Sequence, residues 1–173
     1  MAFANLSPEE NAALETVSRA LGVNPQWLWV LIAFESNWKP KARNPYSNAR
    51  GLIQFMPETA RGLGYASEDA LVRDNPTRTA QLLGPVYSYL RQYQPFPSPQ
   101  SLFMAVFYPA ARGWSLWKPF PAKVQAVNPG IRTPLDYITK AYKRAGLSFL
   151  GGLIPLALLA GAIFFLTRKG SSL

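Results

Sequence analysis

The apolar positions of this chain fall into helix-length stretches, and several begin with the same device. A side chain that can cap a helix is followed at once by proline at Ser7-Pro8, Asn24-Pro25, Asn75-Pro76, Ser98-Pro99 and Thr133-Pro134. Such a pair closes an exposed backbone N–H and presets φ for the first helical residue. Ser7 with Glu10 adds the reciprocal capping-box pattern. These signals predict helices near 8–20, 25–36, 57–63, 76–93, 99–112 and 134–144. Gly22 and Pro95 stand where the first and the fourth should stop. Residues 37–50, rich in Asn, Pro and Lys, read as loop, and no alternating strand run of any length appears. The expected architecture is one mainly α domain spanning 1–145.

A different pattern follows. Between Arg144 and Arg168 there is no charged residue. Residues 146–167 would reach about 33 Å as a helix, enough to cross a bilayer core. The plainer alternative is a buried core helix, though one of this length without a polar face is unusual. The expectation is a transmembrane helix over 146–167 and a short basic tail over 168–173. Gly151, Gly152, Pro155 and Gly161 are tolerated in such a span. Lys140, Lys143 and Arg144 precede it while Arg168 and Lys169 follow, so flanking charge leaves the orientation open. The opening Met-Ala-Phe-Ala-Asn-Leu has no basic or apolar signal region, so no signal peptide is expected.

Within the second predicted helix, Leu28, Leu31, Ile32 and Glu35 share one face at i, i+3, i+4 and i+7. Two readings of Glu35 stand. In one it lies on the core-facing stripe at the helix C-terminus, where low dielectric and the negative end of the helix dipole disfavour its ionised form. Such a carboxyl stays protonated near neutral pH and can act as a general acid. In the other it lies one turn past the buried part and points to water.

Composition narrows the chemistry. The chain has no Cys and no His, which removes thiol and Ser-His machinery and the commonest zinc ligand. Any catalysis must rest on Asp, Glu, Lys, Tyr or backbone groups. Eighteen basic residues against nine acidic ones give a formal charge of +9, which favours a polyanionic partner such as nucleic acid, anionic lipid or an acidic wall polymer. The basic residues are dispersed, so nucleic acid is not expected.

Glu35-Ser36, then Gly51-Leu52-Ile53-Gln54-Phe55-Met56-Pro57 with Thr59-Ala60, resembles the lysozyme-like lytic transglycosylases of the soluble (SLT) type. Their signature couples an ES pair to a GLMQ-x-MP-x-TA segment. The resemblance covers most of residues 24–144, and Asn75 to Tyr93 is similar to the family's next helix, with Tyr89-Leu90 near its end. Tyr137-Ile138-Thr139-Lys140 fits the last motif. The third motif departs: Val106-Phe107-Tyr108-Pro109-Ala110-Ala111 stands where the family has Ala-Tyr-Asn-Ala-Gly, keeping a Tyr at 108 and replacing the Asn by Pro109. Asn48 stands where the family often has Gly, and the loop from Glu35 to Gly51 is one residue longer.

The resemblance implies a mainly α, lysozyme-like (α+β) fold and a peptidoglycan substrate, with no metal or cofactor. It implies that Glu35 is the sole catalytic residue. Glu35 would protonate the oxygen linking N-acetylmuramic acid to N-acetylglucosamine, then accept the C6 hydroxyl proton as a 1,6-anhydro ring closes. Ser36, Gln54 and Met56 would line the glycan groove. Tyr108 and Tyr137 would approach the Glu35 carboxyl, with core packing an equal reading for Tyr137. Lys39, Lys41, Arg43 and Arg50 would attract stem-peptide carboxylates or form a solvated loop.

A hydrolytic muramidase of the same fold is the first rival. It needs a second carboxylate, for which Glu58, Asp74 and Asp136 are candidates only if the fold brings one close. The second rival is a non-catalytic, membrane-anchored wall-binding adaptor. With its C-terminal single-pass anchor the expected setting is a bacteriophage protein, in a virion's internal membrane or the bacterial inner membrane, its domain facing the wall.

Overall fold

The computed structural model describes residue 3 and residues 5–149 of the chain. Four of the five capping signals, at Ser7, Asn24, Ser98 and Thr133, act as read. Helix α1 (Pro8–Leu21) starts at Ser7 with both halves of the capping box formed. Helix α2 (Pro25–Ser36) starts where the Asn24 side chain accepts from the Gln26 N–H at 2.8 Å. Helix α2 is apolar on nearly every side, and Leu28, Val30, Leu31 and Ile32 are all fully buried. An all-round apolar helix must be surrounded, and α1, α7 and α9 pack against it.

The remaining helices are α3 (Pro57–Gly62), α4 (Glu68–Asp74), α5 (Arg78–Gln81), α6 (Tyr87–Leu90), α7 (Pro99–Phe107), α8 (Ala122–Val127) and α9 (Pro134–Arg144). Short 3-10 turns follow α6 and α7. Among the described residues there is no strand longer than an isolated bridge, and the domain is mainly helical, consistent with a helical lysozyme-like domain.

Two boundaries and one helix interior differ most from the sequence expectation. The helix predicted over 76–93 starts at Thr77, whose hydroxyl caps Ala80 N–H, because Asn75 instead closes the end of α4. Its middle is a π turn, Leu82–Val86, with Gly84 off helical geometry at φ −95° and ψ −105°. Pro85 lacks the N–H that an unbroken α-ladder needs there. The helix predicted over 99–112 ends at Phe107, since Pro109 disfavours helical backbone at Tyr108, which sits at φ −154° and ψ 86°. Helices α4 and α8 are too short to leave a clear period and went unpredicted.

Helix α9 turns Tyr137, Ile138, Ala141 and Tyr142 into the core and Lys140, Lys143 and Arg144 outward. It stops at a left-handed Gly146 (φ 73°), and Phe149 packs on Tyr142 with ring centroids 5.1 Å apart. The span expected over 146–167 lies outside the described residues from 150 onward. Its first four residues pass from a turn at Gly146 to a bend at Phe149 and are not helical. Among the described residues no helix is long and apolar enough to cross a membrane.

Candidate active site

The site begins with the loop between α2 and α3. After Asn37 and Trp38, both at positive φ, the chain doubles back on itself. Asn44 N–H donates to Ala49 O at 2.9 Å, and Arg50 and Phe55 exchange backbone bonds of 3.0 and 2.7 Å. Two isolated antiparallel bridges result, Arg43 with Arg50 and Arg50 with Phe55. The buried side chains of Ala49, Leu52, Ile53 and Phe55 pin this corner to the core.

What fixes the turn is a residue the sequence reading passed over. Gln81, fully buried on α5, accepts from Leu52 N–H at 2.9 Å through its carbonyl. Its amide donates to Pro40 O at 2.7 Å and Asn75 O at 3.0 Å. Every polar atom of this side chain is thus used, as a buried amide requires. Gly51 sits at φ +79° directly over it, and a Cβ there would lie 2.7 Å from Gln81 Oε1. Only glycine satisfies both the dihedral and the close approach. Gln54 follows at φ +55°, its amide bonded to Gly51 O at 3.0 Å.

The turn forms one wall of a cleft of about 260 Å³. Gln54, Met56 and Ser47 line that wall, Phe34 and Glu35 come from the end of α2, and Val106 and Phe107 from α7. Glu35 is half-buried, and its Oε1 accepts a hydrogen bond from the Tyr137 hydroxyl of α9. The Tyr137 ring is itself buried between Phe34 edge-on at 5.0 Å, Phe103 at 6.2 Å and Phe107 at 4.4 Å.

Burial pushes the Glu35 carboxyl up to about 7, while the bond from Tyr137 pulls in the other direction. Desolvation wins because one phenol donor replaces only part of the lost water. Burial, with Glu35 alongside, also holds the Tyr137 hydroxyl well above its ordinary range, so it remains a donor. Glu35 can therefore hold or release a proton near neutral pH into the cleft.

The other candidate carboxylates lie elsewhere. Glu58 lines a separate hollow with Tyr89 and Tyr93. Asp74 pairs with Arg73 at 3.1 Å, and Asp136 caps α9 by accepting from Arg132 and Thr133 N–H groups. Among the described residues Glu35 is the only carboxylate lining the cleft.

The structure brings together Glu35, Gln54, Met56 and Tyr137 but not all the expected set. Ser36 is buried, and its hydroxyl donates to Ile32 O at 3.2 Å within α2 rather than facing the cleft. Tyr108 does not reach Glu35. The backbone leaves α7 at that residue, and its ring packs on Trp114 and Phe120, each at 5.8 Å. Phe107, one residue earlier, takes the place against Tyr137. Of the loop cations, Arg50 pairs with Asp69 and Arg43 donates to Asn48 Oδ1 at 3.3 Å, leaving Lys39 and Lys41 exposed.

Comparison with protein families matches residues 13–89 to the Transglycosylase SLT domain. The matched stretch holds Glu35, the Gly51–Pro57 turn and Gln81, and ends before Phe107 and Tyr137. It supports a lytic transglycosylase-like domain with a peptidoglycan-acting function. A search of curated proteins found no match.

Proposed function

We propose that this chain is a peptidoglycan lytic transglycosylase that cleaves the β-1,4 bond between N-acetylmuramic acid and N-acetylglucosamine. One observation carries the reading: a single carboxyl, raised to about 7 and held by a phenol, stands alone in the cleft. Glu35 gives its proton to the glycosidic oxygen as that bond breaks. The resulting carboxylate then takes the proton of the muramyl C6 hydroxyl as the hydroxyl oxygen closes on C1. The acid is regenerated and no water is consumed. A hydrolase with two carboxylates needs the second within about 5–9.5 Å across the bond, and among the described residues the cleft lining supplies none.

Digestion of purified murein followed by mass analysis tests this. The products should be 1,6-anhydromuropeptides, about 18 Da lighter than their hydrolysed counterparts because no water is added. Reducing-end sugars as the main product would assign a muramidase instead.

The uncharged stretch beyond the core, residues 150–167, supports a membrane anchor that holds the domain on the wall side of a bilayer. Because Phe149 is part of the core, the separating cut belongs after residue 149. After a wash near 1 M salt, where the Debye length is about 3 Å and surface charge contacts are screened, the shortened chain should leave the membrane fraction while the full chain stays, and the shortened chain should still cleave purified murein. Persistence of the shortened chain through that wash would remove the anchor reading.

A further inference from the structure

The charge of this chain is not evenly shared. Residues 1–74 hold seven Lys and Arg and eight acids, whereas residues 75–149 hold nine Lys and Arg and a single acid, Asp136. That acid is spent inside the protein on the cap of α9.

Three of these nine cations lie on one excursion, residues 116–132, between α7 and α9, and three more on α9 itself. Its backbone is tied down: Leu135 N–H donates to Leu116 O at 3.0 Å and Phe120 N–H to Arg132 O at 2.8 Å. Lys140 Nζ of α9 reaches Pro129 O at 3.1 Å. Phe120 is buried beneath and touches Phe107 at 5.3 Å. Above that base the excursion points outward. Helix α8 buries none of its six residues, Val127 is 77% exposed and Trp117 is 72% exposed. Lys118, Lys123 and Arg132 stand among them, all exposed, and α9 continues the basic face with Lys140, Lys143 and Arg144.

We infer that this face docks on an anionic lipid surface. Exposed aliphatic and indole groups interleaved with Lys and Arg suit the headgroup boundary, where the rings and methyls enter and the cations meet lipid phosphates. In sequence, the uncharged stretch of residues 145–167 follows directly on α9, the helix that completes the basic face. The inference stands apart from the cleavage chemistry and from the fate of the tail, since it concerns the folded domain.

The full chain is reconstituted with vesicles carrying brominated acyl chains, either phosphatidylcholine alone or mixed with phosphatidylglycerol. The Trp117 signal is the difference between wild type and Trp117→Phe. It should be quenched on the anionic vesicles only, and quenching should vanish near 1 M salt, where the Debye length is about 3 Å. Neutralising Lys118, Lys123 and Arg132 to Gln should weaken the contact about fivefold per cation, near a hundredfold together, with circular dichroism unchanged. Sedimentation with vesicles but no Trp117 quenching means that the tail binds alone and overturns the inference. Equal quenching on both vesicle types overturns the charge-driven contact. A Trp117→Ser variant that loses murein binding while Gln variants keep vesicle contact would reassign the face to the wall polymer and overturn it as well.

Discussion

The two long connections of this domain, residues 37–56 and 108–133, are built in opposite senses. The first turns inward: Trp38, Ala49, Leu52, Ile53 and Phe55 enter the core, its backbone bonds to Gln81, and Arg50 is neutralised by Asp69. The second turns outward, with Trp117 and Val127 in solvent and no acid to balance its cations. Irregular chain becomes a rigid wall where buried polar partners satisfy its backbone, and stays a surface where they do not. The cleft needs the first kind, because a proton donor must be held in place.

The largest break in the comparison comes from the carboxyl the inward loop faces. Glu35→Gln keeps the shape and removes the transferable proton, so murein cleavage should fall by roughly 10²–10⁴. Near-normal turnover in a normally folded variant would rule Glu35 out as the acid. Next comes the anchor of the inward loop. Gln81→Leu strands Leu52 N–H and two carbonyls, and urea unfolding should show a loss of about 3 kcal/mol. A loss under about 1 kcal/mol would mean that the turn stands without it.

A pH series reads the same wall. Glu35 binds its proton more tightly folded, at about 7, than at its unfolded value of 4.5. Its contribution is therefore full below pH 4.5 and declines as pH rises towards 7, by on the order of 2–3 kcal/mol, then stays flat. Unfolding of wild type should show that decline and Glu35→Gln should lack it. Cleavage should likewise fade above about pH 7 as the donor ionises. The smallest effect belongs to the outward loop, where Val127→Ser should change stability by less than about 0.5 kcal/mol. A larger change would mean that this loop is packed after all.

Helices α1, α2 and α9 were legible from sequence because cap and proline agree with an apolar stripe in α1 and α9 and with a continuous apolar run in α2. Glu35 was legible as a position but not as a state. Its stripe could not tell burial from exposure, and the partner that decides lies far along the chain. Tyr108 was misplaced by one residue because the motif gives spacing, whereas Pro109 bends the backbone before it can be used. Gln81 was missed since its bonds reach Leu52 and Pro40, 29 and 41 residues away. A lone amide inside the apolar run Ala80 to Leu83 was the one visible hint.

Glu35 and the hydroxyl that holds it are 102 residues apart, and that separation has a meaning in time. During synthesis the acid leaves the ribosome long before α9 exists. Until then the cleft lacks Tyr137, and the carboxyl has neither its donor nor the ring that shuts out water beside it. The residues that complete the acid are thus among the last of the folded domain to be made, so a chain cut short in translation carries the motif but not the site.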